Sequence, residues 1–109
     1  MAESTFNEEN EEISFQIIAA AGQARSLAYE ALNRAKEGDF DAADDLMEQS
    51  RAAALEAHHV QTDLLTKEAS GDHTTVDVLL VHAQDHLMTS MLAQELIGEL
   101  IELHRKVQH

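Results

Sequence analysis

The amino-acid sequence predicts an all-α protein, an antiparallel up-down-up bundle of three long helices, and three observations carry that prediction. The chain has no proline and only four glycines, while Ala, Leu, Glu and Gln recur throughout, a composition that favours long helices over strands and tight turns. Apolar residues return every three or four positions in three separate segments, which is the period of one helical face. Two breaks, at Gly38 and around Ser70, Gly71 and Asp72, divide those segments. At 109 residues, one domain with one core is the expectation.

Residues 1–12 are acidic and polar with few large apolar groups, so they are expected to be disordered or frayed. They lack a basic n-region and an apolar h-region, and nowhere do about twenty apolar residues run together, so a cytoplasmic chain without direct membrane insertion is expected. The domain then occupies 13–109. Its first helix is placed at about 13–37, where Ile13, Ile17, Ala20, Ala21, Ala24, Leu27, Ala28, Ala31, Leu32 and Ala35 form a stripe; Gly38 supplies the stop.

A second helix, about 40–68, is capped by Asp39 or Asp41 and carries Phe40, Ala43, Leu46, Met47, Ala54, Leu55, Ala57, Val60, Leu64 and Leu65. The third is placed at about 75–107. At about 1.5 Å per residue each helix is on the order of 35 to 45 Å long, and short connections between such helices give an antiparallel bundle.

The third helix differs from the others because its apolar groups fall on two faces. Val76, Leu80, Ala83, Leu87, Met91, Ile97 and Ile101 suit an intrachain core. Met88, Leu92, Leu96, Leu103 and Val107 lie opposite and would form a large apolar patch on a lone three-helix chain, which self-association resolves. Asp85 projects near the centre of this second face, with His82 on its flank. Either Asp85 stays wet, or copies that meet along the face bring like charges together and need protons, hydrogen bonds or a shared divalent cation.

Composition excludes several chemistries. There is no cysteine, which removes disulfides and thiolate catalysis. A formal charge of −14, from 21 acidic against seven basic residues, argues against nucleic acid and suits a basic protein partner. No phosphate-binding Gly-rich loop, nucleophile elbow or aromatic stacking platform is present, and no organic cofactor is expected. Tyr29, Phe15 and Phe40 are spaced as core or helix-end residues.

Seven histidines are many for this length. His58 and His59 fall on the second helix, His82 and His86 on the third. Spacing leaves three roles open for His82. It can be an ordinary helical histidine, a metal ligand together with His86 four residues on, or a nucleophile whose ring nitrogen takes a phosphoryl group. Gln84, His86 and Thr89 are the candidates to stabilise phosphoryl oxygens.

The run Leu80-Val81-His82-Ala83-Gln84-Asp85-His86-Leu87-Met88-Thr89-Ser90 resembles the active-site helix of the lactose/cellobiose-type IIA family of the phosphoenolpyruvate-dependent sugar phosphotransferase system. The segments from Gly22 to Leu32, Gly38-Asp39-Phe40, Glu56-Ala57-His58 and Val60-Gln61-Thr62 resemble family segments in the same order, and Ala83 after His82 is closer to the cellobiose/chitobiose branch. The resemblance implies a homotrimer packed through the third helix, phosphorylation on His82, and an axial Asp85 associated with a divalent ion such as Mg2+. It also implies receipt of the phosphoryl group from the histidine-containing phosphocarrier protein and transfer to a cysteine of a IIB component, with the membrane IIC component reached only indirectly. The chain is then a phosphotransferase component for a β-linked disaccharide such as cellobiose, chitobiose or lactose, without small-molecule turnover of its own. The alternative is a non-catalytic helical scaffold with a His82/His86 metal site.

Overall fold

Three helices follow the breaks in the sequence: α1 over Glu8–Lys36, α2 over Phe40–Ala69 and α3 over Val78–Val107. The structure, a computed structural model, describes residues 8–108. Residues 1–7 of the expected frayed segment lie outside the described residues, whereas 8–12 are the first turn and a half of α1 rather than frayed chain. Glu8, Glu9 and Glu11 place negative charge in that first turn, where the unpaired N–H groups and the helix dipole favour it. The Glu9 carboxylate also meets the Lys67 ammonium of α2 at 3.7 Å.

Both connections begin with the same device. Gly38 (φ 84°) and Gly71 (φ 94°) sit in the left-handed region, which a residue without Cβ enters at no steric cost. After α1, the Gly38 N–H donates to the Ala35 carbonyl and the Asp39 N–H to that of Arg34. After α2, Gly71 and Asp72 repeat the pair on Glu68 and Lys67. This is the Schellman pattern that satisfies the last carbonyls of a helix. Of the two aspartates expected to cap α2, Asp39 does so, accepting from the Ala42 N–H at 3.2 Å.

α3 starts later than the expected position near 75. Asp77 caps it, its carboxylate accepting from the Leu80 N–H at 2.8 Å, and the β-branched run Thr74-Thr75-Val76 stays in the connection ahead of it. Val76, expected in the core, is consequently 72% exposed.

The helices are not arranged as equals. α1 carries both of the others, while α2 and α3 meet along only a narrow line. The buried face of α1 explains this, because it is Ala20, Ala21, Ala24, Ala28, Ala31 and Ala35 with Ile17 and Leu32, and small side chains let two helices approach its backbone closely. One apolar cluster joins Ala28, Ala31, Leu32 and Ala35 to Ala43, Met47, Ile97 and Ile101. A second joins Ile17 and Ala20 to Ala57, Ala83 and Leu87.

Polar side chains bridge α2 to α3 at three levels. Arg105 donates to Asp44 at 2.6 Å while its guanidinium lies 4.9 Å from the centroid of the Phe40 ring. Gln94 donates to the Ser50 hydroxyl at 2.7 Å, and that buried hydroxyl donates in turn to the Ala24 carbonyl of α1. Gln61 and Gln84 exchange hydrogen bonds at 2.7 Å in both directions. Phe15 and Tyr29, placed by spacing in the core or at helix ends, are about half exposed on the outside of α1, turned away from its buried alanine face. Leu55 and Leu65 of the α2 stripe are likewise exposed.

Candidate functional site

Leu80, Ala83 and Leu87 are buried against α1 and α2, and these three anchors set the rotation of the N-terminal third of α3. At about 100° per residue they turn His82 and Asp85 away from the core, and both are exposed. The Asp77 cap and its bond to Leu80 fix where the helix begins, so His82 stands in the second turn.

Beside it stands His86, one turn on. The two rings meet edge to face, with centroids 4.8 Å apart and planes at 73°. His86 is half-buried, and its enclosed Nδ1 has no hydrogen-bond partner among the described residues. The structure therefore pairs an exposed imidazole with a second, partly sheltered one, the arrangement in which one ring nitrogen can act on phosphorus while a neighbouring N–H meets the phosphoryl oxygens.

The other candidates are placed differently. Thr89 is exposed on the same side of α3, two turns beyond His82, and its hydroxyl donates to the Asp85 carbonyl at 2.7 Å, a back-bond it has to give up before its one O–H can donate to a phosphoryl oxygen. Gln84 points to α2, where Gln61 holds its amide as both donor and acceptor; the helix turns it about 160° from His82. Asp85 lies within the outward apolar stripe. His58 and His59 are exposed on α2, and among the described residues no group of three or more His, Asp or Glu side chains converges to hold a metal.

That outward stripe is wider than expected. Val78, Val81 and Leu100 join Met88, Leu92, Leu96, Leu103 and Val107, and these eight are between 42% and 86% exposed. Among the described residues no helix is long and apolar enough to cross a membrane.

Just ahead of α3, the Glu68 carboxylate accepts from the His73 Nδ1 and from the Thr74 N–H. These bonds, that from His73 first, hold the Glu68 carboxyl below its ordinary value. The clamp is local, spanning five and six residues around the Gly71 turn, whereas the Gln61–Gln84 pair, 23 residues apart, depends on the register of two helices that only folding brings together.

Comparison with known proteins identifies the family and the fold. The family described as "PTS system, Lactose/Cellobiose specific IIA subunit" matches residues 12–105. The N,N'-diacetylchitobiose-specific EIIA component of Escherichia coli K12 is 59% identical over 101 residues, covering 93% of this chain and 87% of that protein. The crystal structure of the cellobiose-specific enzyme IIA from Bacillus anthracis superposes with a TM-score of 0.89 at 45% identity, over 98% of this chain and 94% of that one. The chitobiose IIA of Escherichia coli, solved in solution in complex with HPr, superposes with a TM-score of 0.80 at 55% identity, over 99% of this chain and all of that one. The chain belongs to the lactose/cellobiose-specific IIA family of the sugar phosphotransferase system.

Proposed function

We propose that the chain is a cytoplasmic phosphocarrier that accepts a phosphoryl group on His82 from the histidine-containing phosphocarrier protein HPr. It passes the group to a cysteine of a cognate IIB component, which serves a membrane IIC component during uptake of a β-linked disaccharide such as chitobiose, cellobiose or lactose. The observation that carries this reading is the exposed His82 imidazole on a turn whose rotation is fixed from below, with His86 edge-on beside it. A ring nitrogen of neutral His82 gives its lone pair to phosphorus, the donor's N–P bond breaks as the new one forms, and a thiolate later displaces the group to form an S–P bond. His86 and Thr89 are the nearby groups on the same side of α3 for the phosphoryl oxygens. The solved complex of a 55% identical relative with HPr supports the donor, and the formal charge of −14 supports basic partners.

The outward stripe of α3 supports assembly as a homotrimer, since eight exposed large apolar side chains on one face are more than a lone chain tolerates. In such a trimer three Asp85 carboxylates face one another. A carboxylate oxygen is a hard donor of the kind Mg2+ takes, and Asp85 is exposed at the middle of the stripe. Asp85 is therefore the residue that would hold a divalent ion, whose chemistry there is to neutralise like charges.

Intact-mass spectrometry near neutral pH, after incubation with phosphoenolpyruvate, enzyme I and HPr, is expected to show one added phosphoryl group per chain. The group should disappear on acidification and be absent from His82→Ala. Labelling that persists in that variant refutes the site, and no labelling with active donors points to a helical scaffold instead.

A further inference from the structure

We propose that Arg25 of one copy pairs with Glu95 of the next copy in the self-assembled protein, an ion pair that selects parallel over antiparallel assembly. This rests on the reading that copies of the chain meet along the outward stripe of α3. The chain carries only seven basic side chains, and Arg34, Lys67 and Arg105 are already paired with carboxylates of the same chain. Arg25 is exposed and has no ion pair or hydrogen bond among the described residues, and the same holds for Glu95.

The two stand on opposite flanks of the stripe. Gln23 lines a groove with Gln49 and Glu56 of α2, and Arg25, two residues on, is turned about 160° from it, to the α3 side of α1. Glu95 lies eleven residues beyond Gln84, about three turns, and so shares the α2-facing row in which Gln84 meets Gln61. His82, about 160° from Gln84, is on the other flank with Arg25. A chain of hydrogen bonds sets their level in the bundle. The Ser50 hydroxyl donates to the Ala24 carbonyl, and Gln94 donates to that hydroxyl, so the residues that follow Ala24 and Gln94 stand at nearly one height.

Copies related by rotation about an axis along the stripe are parallel and keep each residue at its own height, and every contact joins one flank of a chain to the opposite flank of the next. Arg25 then faces the neighbour's Glu95 across the seam, while Glu99 on the same flank lies a turn further along. Antiparallel pairing would set like flanks against each other and leave these charges without their complements.

The test is sedimentation of the full-length protein over a dilution series at low ionic strength, with Arg25→Glu, Glu95→Arg, the double reversal, and a mixture of the two single variants. Circular dichroism checks that the helices persist, and phosphoryl transfer from HPr is followed alongside. Each single reversal sets like charges across the seam and is expected to weaken assembly about tenfold or more. The double reversal, with the charges exchanged, is expected to return to within about threefold of the parent. The mixture should recover assembly that neither single variant gives alone, and added salt should narrow every difference.

Assembly of Arg25→Glu like that of the parent overturns the proposal, and slowed transfer in that case shows Arg25 meeting the carrier or the phosphoryl group instead. If only Glu95→Arg weakens assembly, Arg51, which follows Ser50 on α2, is the base that Glu95 meets, and the proposal is overturned. It is overturned equally if the double reversal does no better than the single variants. Sedimentation of the parent as a single chain at every concentration is the failure of the self-association reading itself, which takes the proposal with it.

Discussion

The two faces of α3 are built from nearly the same apolar side chains and meet opposite fates. On the inner face Leu80, Leu87, Ile97 and Ile101 are buried against α1 and α2; on the outer face Met88, Leu92, Leu96 and Leu103 are more than half exposed. The difference is in what lies beneath them. The inner side chains fall over an alanine surface that admits a helix at close range, whereas among the described residues no other helix covers the outer ones. A helix with two apolar faces suits two partners, and Asp85 lies within the second face with His82 on its flank.

The largest effect should come from the inner face. Leu87→Ala removes a buried side chain from the cluster under the histidine turn and is expected to destabilise the chain by about 2 to 5 kcal/mol, read by chemical denaturation. The equivalent change outside should behave otherwise. Leu92→Lys should leave the far-ultraviolet signature of three helices intact and weaken self-association by about 1.5 to 3 kcal/mol per side chain, read by sedimentation; loss of helix content instead would erase the distinction between the faces.

Asp85→Leu sharpens the same comparison in the opposite direction. Replacing a converging charge by an apolar group should strengthen association by about 1 to 4 kcal/mol and remove any dependence on divalent cations, as dilution series with and without chelator would reveal. Dissociation of the variant would mean either that Asp85 lies off the axis or that a cation held by Asp85 keeps the assembly together. The smallest effect belongs to Glu68, whose carboxyl is held below its ordinary value of 4.5 by His73 and the Thr74 N–H. A lowered folded value adds stability that is present above the ordinary value and fades as pH falls through the folded one. Glu68→Gln should therefore flatten the acid limb of a stability profile slightly, and an unchanged limb would mean the clamp is too exposed to matter.

Much of this architecture is legible in the amino-acid order. Gly38 and Asp39 mark a helix end and a cap because positive φ and a side-chain acceptor are local requirements, and the outer stripe of α3 is visible because it obeys one helical period. The start of α3 is less legible. Val76 continues the apolar period, yet Asp77 can cap only a helix that begins after it, and the capping bond to Leu80 decides the matter. Phe15 and Tyr29 read as core or helix-end residues by spacing, but they fall roughly 120° or more around α1 from the alanine face that packs, and both stay about half exposed. At the site, the His82–His86 pairing follows from a separation of four residues. The Gln61–Gln84 pair does not, since two glutamines 23 residues apart become neighbours only once α2 and α3 have both docked on α1.

The outward stripe of α3 also has a pitch. Val81, Leu92 and Leu103 are each eleven residues apart, as are Asp85, Leu96 and Val107. Eleven residues in three turns is about 3.67 per turn, a little more than the helix's own 3.6, and such a repeat winds helices slightly right-handed, where a heptad repeat winds them left. Copies meeting in parallel along this stripe, as proposed above, would therefore run almost straight beside one another, and each Asp85 would face its counterpart at a single level of the seam.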